Sequence, residues 1–286
     1  MRLKKLFVLI TFISFSVLSL FLFVRPAEVS FSSDDALSSI FDPVEDEEFQ
    51  KVLPLKAGGS FSLKNVNGSI TITTWKKDKV EINAKKTTRD DPKKLKEVKI
   101  EVRSTSDSVS VDTIYPRRRN IRVKVEYEVK VPEGIDLENV KGVNGSVYIM
   151  GPLGDVHAST TNGKIKLDGA SGTISLSNTN GNIEAKHIRG ELDADNTNGS
   201  IKLEMFSFED GVKAKTVNGG ITLKFDEVEK IDADLELRTV NGRIYLDFPV
   251  TFQNLQKSKR RLEGRIGKGG PQLSLRTVNG SIKITR

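Results

Sequence analysis

The sequence predicts an all-β protein, most of it a β-solenoid of about 18-residue coils, with a β-rich N-terminal capping unit and one N-terminal transmembrane helix. Three observations carry this. Glycine returns every nine residues, at Gly145, Gly154, Gly163, Gly172, Gly181, Gly190 and Gly199. Asparagine precedes every second one, at Asn144, Asn162, Asn180 and Asn198. An uncharged stretch, Leu6 to Val24, follows the basic start "MRLKK".

The N-terminal stretch comes first. As a helix its 19 residues would measure about 28 Å, close to the roughly 30 Å hydrocarbon core of a bilayer. A cleaved signal has a shorter apolar region and a small-residue cleavage site, for which "VRPAEVS" is a poor match. An uncleaved anchor is favoured, with cleavage the alternative. Arg2, Lys4 and Lys5 against Arg25 place the N-terminus inside, so the rest of the chain faces outward in either case. Residues 26–50 read as an acidic linker, carrying Asp34, Asp35, Asp42, Glu45, Asp46, Glu47 and Glu48 without a base from residue 31 onward.

Residues 51–140 read as a β-rich unit. "GSITITTW", "DKVEINAKK", "VKIEVRS", "DSVSVDT" and "IRVKVEYEVKV" alternate with period two, and "DPKKLKEV" suits one helical turn. From residue 141 to 286 the nine-residue frames take over, with an insertion at 249–271. Frame positions three and five are always aliphatic, as in Ile165/Leu167, Ile174/Leu176 and Ile183/Ala185. Each frame is therefore a short strand with one buried face, followed by a turn. The signature "[TN]-[TV]-N-G-x-I-x-[LIA]" persists at Asn218, Asn241 and Asn279, and an earlier Asn-Gly stands at Asn67.

Asn-Gly is also the strongest short hairpin signal, so an antiparallel meander competes with stacked coils. Stacking is preferred because residue types recur at 18 and not merely at each turn. In a stack the asparagines form a side-chain amide ladder; a ligand-binding comb is the rival. The structural turn ladder comprises Asn67, Asn144, Asn162, Asn180, Asn198, Asn218, Asn241 and Asn279 with Gly145, Gly163, Gly181 and Gly199.

The stretches "VNGSITITTWKKDKVEINAKK" and "YEVKVPEGIDLENVKGVNGSVYI", the Asn-Gly repeats and the ending "GRIGKGGPQLSLRTVNGSIKI" resemble the bacterial putative-adhesin family. This is a domain of unknown function in exported and envelope-associated proteins. The resemblance spans about residues 50–286 and implies a right-handed β-helix without agreed catalytic residues.

The residues themselves offer little for catalysis. There is no cysteine, which excludes disulfides and thiolate chemistry. The two histidines, His157 and His187, occupy different frame positions. Asp193/Asp195 and Asp232/Asp234 are the nearest carboxylate pairs, each more readily a solvated strand face than a cation site. Frames with one glycine and no recurring aspartate do not match calcium-binding nonapeptides. "GKGG" lacks the spacing of a phosphate-binding loop. No cofactor, catalytic residue or metal ligand is expected.

Charge points elsewhere. From residue 49 onward 41 bases face 30 acids, a net +11. The runs Arg117, Arg118, Arg119 and Lys257, Lys259, Arg260, Arg261 are the candidate contacts for an anionic envelope polymer or lipid headgroups. An envelope protein is the other candidate partner. These runs lack aromatic interleaving and lie on an exported domain, which argues against nucleic acid. The final strand, "RTVNGSIKITR", is expected to offer an open solenoid edge for self-association unless residues 249–271 fold over it.

Overall fold

The computed structural model describes residues 45–117, 121–226, 231–247 and 252–286. The expected span Leu6–Val24, the linker up to residue 44, Arg118 and Arg119 fall outside these residues. Among the described residues no helix is long and apolar enough to cross a membrane.

The nine-residue frames become rungs of a parallel stack, which removes the meander alternative. Strand β11 (Ile165–Asn180) runs through two frames, and β12 (Ile183–Asn198) lies parallel to it in register, Ile165 against Ile183 and Asn180 against Asn198. Alternation puts Ile165, Leu167, Ile174 and Leu176 in the core, each at most 1% exposed. Polar neighbours face outward. Each rung bends at two corners. The first is the Asn-Gly turn; the second lies around Gly169 to Gly172, where Gly169 (φ 86°) and Gly172 (φ 132°) take left-handed conformations.

Two columns of strands result. The first holds, in spatial order, β6 (Ser108–Ile114), β2 (Ser60–Lys64), β8 (Asp136–Lys141) and β10 (Val156–Asn162). It continues through the second halves of β11 and β12 to β14 (Val212–Asn218), β20 (Gln272–Asn279) and β16 (Ala233–Asn241). The second holds β7 (Val123–Pro132), β3 (Ile70–Trp75), β9 (Val147–Leu153) and the first halves of β11 and β12. It ends with β13 (Ile201–Met205), β15 (Ile221–Phe225), β21 (Ile282–Thr285) and β17 (Ile244–Asp247). Residues 60–75 and 108–141 thus supply rungs of the same stack.

Antiparallel strands cover the outer rungs. At the N-terminal end β4 (Lys79–Thr88) lies on β7, β1 (Glu45–Pro54) on β4, and β5 (Lys99–Ser104) on β6. A one-turn helix, α1 (Lys93–Glu97), joins β4 to β5 and buries Leu95. Strand β1 takes in acids expected in the linker, because β4 supplies their partners: Asp46 meets Lys85 at 2.7 Å and Glu47 meets Lys86 at 2.9 Å. At the other end β19 (Arg261–Ile266) pairs with β16, and β18 (Phe252–Lys257) with β19. The insertion therefore covers a rung.

The expectation of an open terminal strand is corrected. Strand β20 is paired on both sides, by β14 and β16, and β21 by β15 and β17. The last coil in sequence is an inner coil in space. Leu273, Leu275, Ile282 and Ile284 complete the core there, all fully buried. Burying four aliphatic side chains between two rungs outweighs leaving them on an edge.

Candidate functional site: the two edges of the stack

The Asn-Gly corners form one edge, and its geometry follows from the closeness of the rungs. A Cβ on Gly181 would overlap the carbonyl oxygen of Gly163, and one on Gly163 that of Gly145. Only glycine lets the backbones approach so closely, and both take positive φ, 135° and 152°. Outside these corners the asparagine amides bond from rung to rung. The Nδ2 of Asn144 donates to Asn67 Oδ1, Asn162 to Asn144, Asn180 to Asn162 (each 2.9 Å), and Asn198 to Asn180 (2.8 Å). Asn218 then donates to Asn198 (2.8 Å), Asn279 to Asn218 (2.7 Å) and Asn241 to Asn279 (2.8 Å). All eight side chains belong to one exposed chain of amides with a single polarity. At about 4.8 Å per rung the chain is roughly 34 Å long.

A second ladder lies inside it. The corner glycine carbonyl accepts a side chain from the following rung: Thr160 bonds Gly145 (2.9 Å), Asn178 bonds Gly163 (3.0 Å), Asn196 bonds Gly181 (2.8 Å) and Thr216 bonds Gly199 (3.0 Å). Thr277 and Thr239 serve Gly219 and Gly280 in the same way, each at 2.8 Å. These residues are the opening [TN] of the sequence signature. The recurrence was visible, but its role was not, because nothing local shows that a glycine carbonyl turns inward and needs a buried donor. Asn178 and Asn196 each bring an extra oxygen, and Asn178 Oδ1 and Asn196 Oδ1 are buried without a partner among the described residues.

Arg117 and the Lys259–Arg260 turn meet the same edge at opposite ends. Exposed Arg117 lies two residues beyond Tyr115, whose hydroxyl is 3.4 Å from Asn67 O. There Val125 N bonds Asn67 O at 2.8 Å, and the Tyr115 hydroxyl donates to Val123 O at 3.2 Å. Burial pushes the Tyr115 phenol up to about 12. At the far end the β18–β19 turn holds Lys259 and Arg260 exposed, and Thr239 N bonds Arg260 O at 2.9 Å, two residues before Asn241. Arg261 is engaged locally with Glu263, which also takes Arg238 at 2.8 Å; the two guanidiniums hold its carboxyl down to about 2. Lys257 ends β18.

The opposite edge contains a site that sequence reading missed. In successive rungs the second corner places Gly151 (φ 118°), Gly169 (φ 86°) and then His187 (φ 51°) at equivalent positions. His187 is the one non-glycine residue with positive φ among the described residues, at a cost of about 1–2 kcal/mol. Its Nδ1 donates to Asp168 Oδ1 at 2.6 Å, and its Nε2 lies 4.0 Å from Glu204 Oε1. The Asp168 bond, opposed by desolvation and helped by nearby Glu204 and Asp226, raises the imidazole above its ordinary value. Two residues on, in the same rung, the Arg189 guanidinium lies 4.1 Å from the centre of the Phe206 ring. Two clefts of about 500 and 580 Å³ flank this pair, and Ser171, Arg189 and Phe206 line both. The available signal was the break in a column of glycines at frame position seven.

The carboxylate pairs behave as strand faces. Asp193 is paired with Lys213 at 3.1 Å and Asp234 with Arg265 at 3.1 Å, while Asp232 Oδ1 accepts Lys268 N at 2.9 Å. Among the described residues no three His, Asp or Glu side chains converge as metal ligands. His157 lies in the other column, on β10, away from His187.

Several solved structures are similar to the chain. A putative adhesin from Bacteroides fragilis is 16% identical, with 83% of this chain and 97% of that one covered and a TM-score of 0.35. For a putative adhesin from Parabacteroides merdae the values are 11%, 84%, 97% and 0.35. For a putative cell adhesion protein from Clostridium sporogenes they are 13%, 84%, 99% and 0.33. No curated protein matches the chain. The toastrack family DUF4097 matches residues 44–285, nearly all of the described stack, and the chain belongs to that family.

Proposed function

We propose that the chain is a non-catalytic, adhesin-like binding or scaffolding module of the cell envelope, anchored through residues 6–24 and presented outside the membrane. A right-handed solenoid, the hand favoured for parallel crossovers, carries the module. Its Asn-Gly edge lies along an anionic envelope polymer or a surface of anionic headgroups. The observation behind this reading is that Arg117 and the Lys259–Arg260 turn, far apart in sequence, flank the ends of one amide ladder on one edge. A straight edge of roughly 34 Å with cations at both ends suits an extended polyanion better than a compact ligand. The amides satisfy one another along the ladder and still turn one N–H and one lone pair outward, so they add polar contacts without a change of shape.

The test is co-sedimentation of the full chain with anionic wall polymer, and separately with anionic and neutral vesicles, at low and high salt. Binding to one anionic phase that collapses at high salt is expected, because exposed charges are screened within about 3 Å at 1 M. Replacing Arg117, Arg118, Lys259 and Arg260 with Gln should weaken it, by about 1 kcal/mol per cation if the phase is lipid. Absence of binding at low salt would sink this reading in favour of an envelope-stress accessory role with a protein partner.

A further inference from the structure

We propose that the second corner of the stack, on the edge opposite the basic loops, binds a carboxylate-bearing sugar of an acidic oligosaccharide. The sugar ring lies against exposed Met150 and Pro152, and its carboxylate lies between Arg189 and His187. The inference goes beyond the reading above and does not depend on the Asn-Gly edge.

The argument starts from the backbone. The rungs before His187 turn this corner with glycine, and a column of glycines would continue without strain. Histidine accepts the left-handed conformation there and projects its ring from a surface that Gly151 and Gly169 leave bare. Its core-side neighbours do not need it: the imidazole is 53% exposed and lies outside the buried core cluster. Asp168 fixes the ring through Nδ1 and holds it towards the charged form; Glu204 Oε1 approaches Nε2 only to 4.0 Å, beyond hydrogen-bond distance, which leaves that N–H able to donate to a ligand.

Arg189 makes the second half of the site. It is exposed, with its guanidinium carbon 4.1 Å from the Phe206 ring centre, and in no ion pair among the described residues. The contact steadies the guanidinium while its N–H groups stay unclaimed, the arrangement that suits a planar carboxylate. A cleft of about 500 Å³ is within the range of small-ligand sites and wide enough for more than one sugar ring. The adjoining cleft of about 580 Å³ contributes Thr173, Glu191, Glu209 and Asp210, acceptors for the hydroxyls of a neighbouring ring. An acidic sugar next to a hydroxyl-rich one therefore matches the change of charge across Arg189. A simple polyanion does not, because the second cleft would repel it.

The experiment is calorimetric titration of the full chain at pH 6 with an oligogalacturonate, the matching neutral galactose oligomer and a glycerol-phosphate oligomer. Oligogalacturonate should bind at least about tenfold more tightly than either other probe. Arg189→Gln and His187→Gly should each weaken it by about tenfold or more, while Lys93→Gln, exposed on α1 and outside both clefts, should leave it unchanged. Melting at pH 9, where the imidazole is uncharged, separates binding from structure: His187→Gly should melt at the same or a higher temperature, because it relieves strain. Equal binding of the neutral oligomer, undiminished binding by Arg189→Gln, absence of oligogalacturonate binding, or a lowered melting temperature for His187→Gly would each overturn the proposal.

Discussion

The steric demand at the Asn-Gly corner can be separated from the conformational one by two Gly→Ala substitutions. Gly181 (φ 135°) and Gly134 (φ 72°) both have positive φ, so alanine at either place pays about 1–2 kcal/mol for backbone strain. They differ in what a methyl group would meet. At Gly134 nothing lies within 4 Å; at Gly181 the new carbon overlaps the carbonyl oxygen of Gly163 and sits 3.1 Å from Asn178 Nδ2. The rungs must part there, which lengthens the bonds from Asn178 Nδ2 to Gly163 O and from Asn180 Nδ2 to Asn162 Oδ1. Two hydrogen bonds at about 1 kcal/mol each, one of them partly buried, raise the expected cost of Gly181→Ala to about 3–4 kcal/mol.

Urea unfolding followed by circular dichroism measures both. The midpoint for Gly181→Ala should fall two to three times as far as that for Gly134→Ala, with little change of slope. Equal shifts would show that the corner glycines are selected for their dihedral angles alone, and the argument from rung spacing would fail.

Two more outcomes follow from the same geometry. Asn178→Thr keeps a donor for Gly163 O and removes the unpartnered oxygen, so stability should be unchanged or higher; Asn178→Val leaves the carbonyl without a donor and should cost about 1–3 kcal/mol, and equal melting temperatures for the two would refute the role of the inner ladder. His187 contributes a stabilisation that depends on pH. Its value is raised in the folded state, so the contribution is complete below the unfolded value of about 6.5 and is lost as pH rises through the folded one. Between pH 5.5 and 8.5 the melting temperature of the native chain should therefore drop further than that of Asp168→Asn, and parallel profiles would dismiss the His187–Asp168 bond as a contributor.

Much of the central stack was legible because it is locally periodic. A strand buries every second residue and a stacked corner repeats every coil, so Ile165, Ile174 and Ile183 and the eight asparagines could be placed from spacing alone. What could not be read is what depends on distant partners. The first part of β1, residues 45–50, reads as linker in the sequence because Glu45 to Glu48 look solvated until Lys85 and Lys86 are beside them. The inner Thr and Asn side chains were seen as a motif without a purpose. His187 was assigned a frame position, yet its left-handed backbone shows only when Gly151 and Gly169 are stacked against it.

The order of the rungs was the least legible feature, and it explains how the stack ends. A purely sequential solenoid would close on parallel strands with unpaired edges at both termini. Here the chain doubles back at each end: β2–β3 sits inside β6–β7, and β20–β21 inside β16–β17. Each reversal brings strands to the outer rungs in the antiparallel sense, β4 and β5 at one end and β19 at the other, which short connections can supply and parallel crossovers cannot. The amide ladder passes through the C-terminal exchange without a break, from Asn218 to Asn279 to Asn241. Every coil from β2–β3 to β16–β17 offers the same Asn-Gly corner, so a rung there is matched by its corner and its buried aliphatics rather than by its place in the chain. A repetitive edge of this kind lets the last coil be built in after its outer neighbour has been made, and the final strand is then held from both sides.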